Sequence, residues 1–386
     1  VGCITLDDPN AARKVYWGWV FTITDLRGQV YQARVSFDLK AVAVCEQVVS
    51  AGAPAADPNA GADLPAPVAG SAASGSFELG GHVLQLNANT RNLMQRAGMT
   101  WVKKQYRYNL GDGTGTVAGM INEAKSAGLK VLIGVVGQPS QMGNFDSYIN
   151  TYAQFVGEVA ALGADAIEVW NEPNIDREWP TGQVNGANYT RLLAAAFNAI
   201  KTRNPNTLVV SGAPAPTGFF GEAGCNANGC NDDVFMQQMA AAGAAQYMDY
   251  IGLHYNEGIV SPTANSGDPR NYYPTRYFSQ MLNRGLAPFP GKQVIWTELG
   301  YLSGEDLGRA IPGGFAWAQG VTVAQHATWL AEAATLSSQS GRVRLMIVWN
   351  VDFPDMGGDD PMGGYAMFRR GGTCPACDTL GRVMGR

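Results

Sequence analysis

Two glutamates carry the chemistry that can be read from this sequence. Glu172 lies in AIEVWNEPNI (166–175), between an Asn and a Pro and directly behind strand-forming apolar residues. Glu298 lies in VIWTELGY (294–301), again where an apolar run breaks at a Gly. Only 15% of the residues are charged, so an acid at the point where a buried strand emerges is either a helix cap or a reagent. Two facing carboxyl groups suit the cleavage of a glycosidic bond. One, protonated, delivers a proton to the leaving oxygen, while the other, ionised, attacks or stabilises the anomeric carbon. Sharing a pocket pushes their pKa values apart, because ionising one disfavours ionising the other.

Such a pair meets only if distant segments deliver both acids to one face. From Phe77 onward, apolar β-rich runs alternate with amphipathic stretches of helical period. The candidate strands are SFELGGHV, TWVKKQYRY, KVLIGVVG, AIEVWNEP, TLVVSGAP, DYIGLHYN, KQVIWTELG and VRLMIVWNV, with seven helical stretches between them. Gly98, Gly128, Gly163 and Gly285 stand where helices must end, as left-handed caps would require. Near-continuous apolar strands separated by helices predict a parallel sheet covered by helices. Eight such units match an α/β fold of the closed (β/α)8 TIM-barrel type, with an open doubly wound sheet as the alternative. In a barrel the site gathers where strands end and the following loops begin. Glu172 ends the fourth strand and Glu298 the seventh, which places both at the same mouth.

VWNEPN on the fourth strand and IWTELGY on the seventh resemble the clan A glycoside hydrolases, a retaining superfamily of cellulase-like barrels, over roughly Phe77 to Phe353. The resemblance implies that Glu172 is the acid/base and Glu298 the nucleophile of a double displacement. It implies that Asn171 binds the sugar 2-hydroxyl and that Trp349, in IVWNV at the end of the eighth strand, floors the subsite beside the scissile bond, where a sugar face stacks on the indole. The sixth strand, DYIGLHYN, resembles the segment whose His and Tyr line the site. Here His254 and Tyr255 are adjacent, so only one of them looks inward, and His254 is favoured. On the second strand many clan members carry an Arg near the nucleophile, whereas WVKKQYRYN offers Lys103, Lys104 or Arg107. Trp179, Tyr272, Tyr273 and Tyr301 fall in loops after strands, where rings can serve as sugar platforms. The expected partner is therefore a carbohydrate substrate, more in keeping with a polysaccharide than a small glycoside, and no cofactor or metal is called for.

Residues 1–49 form a β-rich arm: VYWGWVFTITDLRGQVYQARVSFDLKAVAVCEQVV alternates apolar and polar residues around a turn signal at Leu26-Arg27-Gly28, predicting two or three antiparallel strands. Residues 50–76 collapse to Ala, Gly, Pro and Ser, the composition of a linker. Residues 77–386 then hold the barrel with a C-terminal extension. The arm and linker motivate a second function of a different class, a carbohydrate-binding or scaffold subunit of an extracellular assembly or filament, self-assembling when the arm adds strands to a neighbour.

The 386 residues, 46% of them hydrophobic, suffice for one large core. A formal charge of −5 argues against nucleic acid or an anionic membrane surface as partner, and no apolar run is long enough for a membrane span. Six cysteines group as Cys3 with Cys45, Cys225 with Cys230 and Cys374 with Cys377. Three disulfides in an oxidising compartment are expected, hence a secreted or extracellular location. A start at Val1 is what removal of a leader would leave. The GDGTGTVAG run (111–119) imitates a phosphate loop, but KVLIGVVG supplies no ribose-binding acid after it. GGDD (357–360) offers acidic loop oxygens of the kind calcium uses, as solvated loops also do.

Overall fold

We analysed a computed structural model of the chain, which describes Gly18–Thr24, Val30–Ser36, Val42–Cys45, residues 64–70 and residues 75–386, the first three segments as backbone only. The chain divides into two compact units, Val1–Ala55 and Ala56–Arg386. In the first, β1 (Gly18–Thr24), β2 (Val30–Ser36) and β3 (Val42–Cys45) pair antiparallel in the order β1-β2-β3, with Gly18 opposite Ser36 and Gln32 opposite Cys45. The turn signal at Leu26-Arg27-Gly28 lies outside the described residues.

The second unit is an eight-stranded parallel barrel. Its strands are β4 (Glu78–His82), β5 (Trp101–Arg107), β6 (Lys130–Val136), β7 (Ala166–Val169) and β8 (Leu208–Ser211), then, after a short hairpin β9–β10 (Cys225–Asn226, Gly229–Cys230), β11 (Ile251–Tyr255), β12 (Val294–Leu299) and β13 (Val343–Val348). The hydrogen-bonded order is β11-β12-β13-β4-β5-β6-β7-β8, and a parallel bridge from Val210 to Tyr250 brings β8 back to β11. Between the strands run α1 (Ala88–Arg96), α2 (Gly115–Ser126), α3 (Phe145–Ala161), α4 (Gly186–Arg203), α5 (Asp232–Ala241), α6 (Phe278–Leu286) and α7 (Val323–Ser340). A short α8 (Met362–Tyr365) and α9 (Pro375–Val383) follow the last strand. The (β/α)8 barrel expected from the alternation of strand and helix is the observed fold.

Strand parity explains the layering. Alternate residues point inward, where Trp101, Leu132, Ala166, Val210, Ile295 and Ile347 fill the barrel as one apolar cluster. Their neighbours Val102, Val131, Ile167, Val209 and Trp296 point outward into the larger core under the helices. The helices begin at caps written in the sequence. Asn87, Asn144 and Asn185 each accept from a backbone N–H three residues on, and Thr322 with Gln325 forms a capping box. Of the four glycines expected as caps, Gly98, Gly128 and Gly163 have positive φ. Gly285 differs, because it lies inside α6, where a Cβ would come within 2.4 Å of Leu253. Its smallness serves helix-to-strand packing instead of a chain reversal.

Part of the Ala/Pro/Gly stretch docks on the barrel. Val68 N donates to Asn198 Oδ1 on α4 at 2.8 Å, Asn198 Nδ2 donates to Ala66 O at 3.0 Å, and the Tyr247 hydroxyl donates to Pro65 O at 2.7 Å. Composition alone would leave this segment without order; the backbone groups of its few residues are instead satisfied by side chains of the neighbouring helical layer. Disulfides join Cys225 to Cys230 and Cys374 to Cys377. The third expected pair cannot be placed, since Cys3 lies outside the described residues. Among the described residues no helix is long and apolar enough to cross a membrane.

Candidate active site

Glu172 reaches the barrel mouth through an unusual backbone. After β7 the chain passes through two non-glycine residues of positive φ, Trp170 (79°) and Glu172 (46°). Such conformations cost about 1–3 kcal/mol each and persist only where the surroundings enforce them. Here the Trp170 ring is locked beneath the loop between Tyr152 and Trp179, its Nε1 donating to Glu178 O at 2.8 Å. Glu172 N donates to Ala213 O at 2.9 Å. Asn174, fully buried, accepts from Ala215 N and donates to the carbonyls of Ala215 and Cys230. The loops after β7 and β8 are thereby fixed to each other.

Glu298 is aimed by a bulge. Along β11 and β12, Leu253 pairs with Trp296 but His254 pairs with Glu298, so Thr297 is an extra residue with no partner in the register. If β12 ran on through Thr297 without the bulge, Glu298 would share the outward parity of Trp296 two residues earlier. With it, Glu298 turns inward beside His254, which is the effect a bulge has on the strand beyond it. The displaced Thr297 carbonyl accepts from Lys103 Nζ at 3.2 Å.

The two acids converge on one imidazole. His254 Nδ1 stands 3.3 Å from Glu172 Oε1 and 3.8 Å from Glu298 Oε2. Those two oxygens can be no further apart than the sum of the two distances, 7.1 Å. Lys103, wholly buried, lies 2.8 Å from Glu168 Oε2 and 3.4 Å from Glu298 Oε1. Asn256 Nδ2 donates to the other Glu298 oxygen at 3.4 Å. Arg177 Nη2 donates to Glu172 Oε2, the oxygen His254 leaves free.

These neighbours decide the charges. Burial alone would raise the Glu172 carboxyl, but His254 and Arg177 outweigh it and hold the pKa below the ordinary carboxylate value. Burial would likewise lower His254, yet Glu298 and Glu172 raise it above an ordinary imidazole, Lys103 opposing. Lys103 is raised by Glu168 and Glu298 against its own desolvation. His82, at the end of β4, is pushed well down by burial and by Lys103, Lys104 and His254. It therefore sits neutral between the rings of Trp349 and Phe353, at centroid distances of 4.9 and 5.2 Å.

The other expected site residues separate into two groups. Asn171 is buried beside Glu172 with its Oδ1 free of any protein partner. Trp349 is half-buried at the end of β13, followed by a cis peptide to Asn350. Tyr255, Tyr301 and Trp179 depart from expectation: their exposures are 0%, 0% and 1%. Tyr255 has outward parity and packs on Phe278, Trp296 and Tyr301. Tyr301 continues that stack onto Trp329 of α7, and Trp179 wedges among Phe145, Trp170 and Tyr189. No ring face in these three is open to a sugar. Of the three cations weighed on β5, Lys104 turns out to Glu123 of α2 and Arg107 pairs with Glu178, leaving Lys103 at the acid.

Glu168, Asn256 and Arg177 join the site without having been singled out. Glu168 had a visible signal: it sits two residues from inward Ala166 on the same strand, an acid where parity requires an apolar side chain. The acidic loop read for calcium is instead clamped by Arg309, which donates to both Asp355 oxygens and to the carbonyls of Gly358 and Asp360. Among the described residues no group of three or more His, Cys, Asp or Glu side chains is arranged to hold a metal ion.

No protein-family model matches the sequence, and no curated protein does. Solved structures do match. A family 39 glycoside hydrolase from the gut symbiont Bacteroides cellulosilyticus WH2 aligns with 96% of this chain and 71% of its own, at 15% identity and a TM-score of 0.53. A GH5-4 broad specificity endoglucanase from Clostridium longisporum aligns with 78% of this chain and 86% of its own, at 13% identity and a TM-score of 0.52. An endo-1,4-beta-mannanase from Rhizomucor miehei gives 81%, 99%, 13% and 0.51. The chain shares the (β/α)8 barrel fold of these solved glycoside hydrolases. Within a (β/α)8 barrel the site described above occupies the usual end of the sheet, the C-terminal mouth. At this level of identity the likeness speaks for the fold, and activity has to be argued from the site.

Proposed function

We propose that the protein is a β-glycoside hydrolase acting by double displacement, with Glu298 as nucleophile and Glu172 as acid/base. The observation that carries this reading is the convergence of both carboxylates on His254 Nδ1, which caps their nearest oxygen separation at 7.1 Å. Retaining enzymes hold their carboxyl groups about 5–5.5 Å apart and inverting enzymes about 6.5–9.5 Å. For these two oxygens the ceiling admits the retaining separation and only the short end of the inverting range.

In this mechanism Lys103 and the Asn256 amide hold the Glu298 carboxylate, one on each oxygen, oriented toward the anomeric carbon. As Glu298 forms the ester its charge disappears, and Glu172 passes its proton to the departing oxygen. Glu172 then accepts a proton from the water that hydrolyses the ester. Because His254 and Arg177 hold resting Glu172 as a carboxylate, a bound sugar has to displace Arg177 and Glu172 has to take up a proton from solvent before the first step. Asn171 serves the 2-hydroxyl and Trp349 the sugar face. Two disulfides are in keeping with secretion into an oxidising compartment.

The test is the anomeric configuration of the first product, followed by NMR on β-linked glycans, with Glu298→Gln as the inactive control. Retention is expected, and Glu172→Ala should still release activated aryl leaving groups. An inverted product removes the double displacement, and turnover by Glu298→Gln equal to the parent removes the site.

A second reading is a scaffold or sugar-binding subunit that self-assembles through the arm. It is favoured by the separate three-stranded unit, in which β1 and β3 are sheet edges among the described strands. Sedimentation of the full chain decides it: concentration-dependent growth supports assembly, and a strict monomer ends the idea.

A further inference from the structure

The loops after β8 and β11 each present one exposed aromatic ring: Phe219 is 75% exposed and Tyr272 65%. A single exposed ring requires no explanation. These two, however, sit on segments held rigidly to each other and to the loop of Glu172. The Tyr273 hydroxyl donates to Thr217 O at 3.1 Å and accepts from Arg284 at 2.8 Å. The Tyr273 ring lies so close to Gly218 that a Cβ there would come within 2.0 Å of it. Thr217 in turn donates to Cys230 O, the carbonyl that also takes a bond from Asn174, two residues beyond Glu172. Phe220 N donates to Asn231 Oδ1, and the Cys225–Cys230 disulfide closes the base of the protrusion. One bonded rim therefore runs from the candidate acid/base to both rings.

We propose that Phe219 and Tyr272 form a distal stacking platform for the outer units of a β-linked glycan whose reacting unit occupies the Glu172–Glu298 pocket. The proposal rests on reading that pocket as a glycoside-hydrolysing site. The chemistry favours a glycan as occupant. Sugars in β-linkage present flat faces of C–H groups that stack on aromatic rings, and rings carried on backbone segments already bonded in place lose less freedom when covered than rings on an unanchored loop. Continuity with the pocket rim sets the direction of the chain, outward over the loops of β8 and β11.

The experiment measures binding by calorimetry in the Glu298→Gln background, so that no turnover intervenes. The probes are cellohexaose, mannohexaose and laminarihexaose, each paired with its disaccharide. Replacing both rings (Phe219→Ala, Tyr272→Ala) should weaken the preferred hexasaccharide by about 3- to 10-fold per ring and leave the disaccharide unchanged. Phe219→Trp with Tyr272 intact should retain the hexasaccharide affinity. Equal affinity of parent and double variant for the hexasaccharide overturns the platform, as does an equal loss for the disaccharide, and so does a parent that binds none of the hexasaccharides. If the hexasaccharide binds through the rings but the wild-type protein never cleaves it, the platform stands and the hydrolase reading falls.

Discussion

Arg177 covers one carboxylate oxygen of Glu172 while His254 meets the other, so the candidate acid has no oxygen free for a leaving group in the resting pocket. The Arg177 side chain is 70% exposed, and the Glu172 carboxylate is its one hydrogen-bond partner among the bonds described. It can move aside into solvent, which opens that Glu172 oxygen to a leaving group.

A pH prediction follows from this contact. The Glu172 carboxyl is held low, with burial opposed by His254 and Arg177. A general acid works only while it carries its proton, so a lowered pKa draws the alkaline limb of kcat/KM toward acid pH. Arg177→Gln removes one lowering influence and should move that limb to higher pH. The displacement should shrink at high salt, because the arginine is exposed and screened. A limb that stays in place assigns it to a group other than Glu172.

The Lys103–Glu168 pair is a stability element inside the barrel, with both side chains essentially inaccessible. Lys103→Met strands Glu168 as an unpaired buried charge and should cost about 3–5 kcal/mol in urea unfolding. Adding Glu168→Gln should recover part of that loss. A double variant no more stable than the single one argues that the two positions are not coupled.

Asn174 holds the loop of Glu172 to the loop of β8 through Ala215, Thr217 and Cys230. Asn174→Ala leaves these buried groups unmatched and should destabilise the fold by about 1–3 kcal/mol. It should also lower kcat more than it raises KM for an aryl glycoside, since the carboxyl loses its aim. A fall confined to KM argues that the loop supports binding alone.

On the outer face, Asn198 makes both side-chain bonds to residues 66 and 68. Asn198→Ala should speed limited proteolysis within 64–70 and leave the melting temperature of the barrel almost unchanged. Cleavage at the parent rate means that Tyr247 and apolar contacts suffice to hold the segment.

The barrel was legible because its strands are buried on both faces and its helices carry caps and periodic apolar residues, as Asn144 with Tyr148, Tyr152 and Phe155 on α3 illustrates. Glu172, Glu298 and His254 could be named because strand ends define the mouth. Less was legible where tertiary contacts decide orientation. Tyr255 and Tyr301 look like cleft residues by position, yet outward parity and a continuous aromatic stack bury them. Gly285 looks like a cap, yet helix-to-strand contact with Leu253 explains it. Arg177 belongs to the site only because the chain reverses just after Glu172, a turn that no periodicity announces.

Thr297 shows how little separates an aimed acid from a misdirected one. Its role is one of count and not of type, since it is the residue that β12 has in excess of β11 between Trp296 and Glu298. Exchanging residue types along β12 would therefore overlook the feature that points Glu298 at the pocket. Deleting this one position would set Glu298 directly after Trp296, still inward by alternation, whereas adding one more residue behind it would turn the acid outward; the addition should silence the protein while preserving its circular dichroism spectrum, the signature of an offset in phase along the strand.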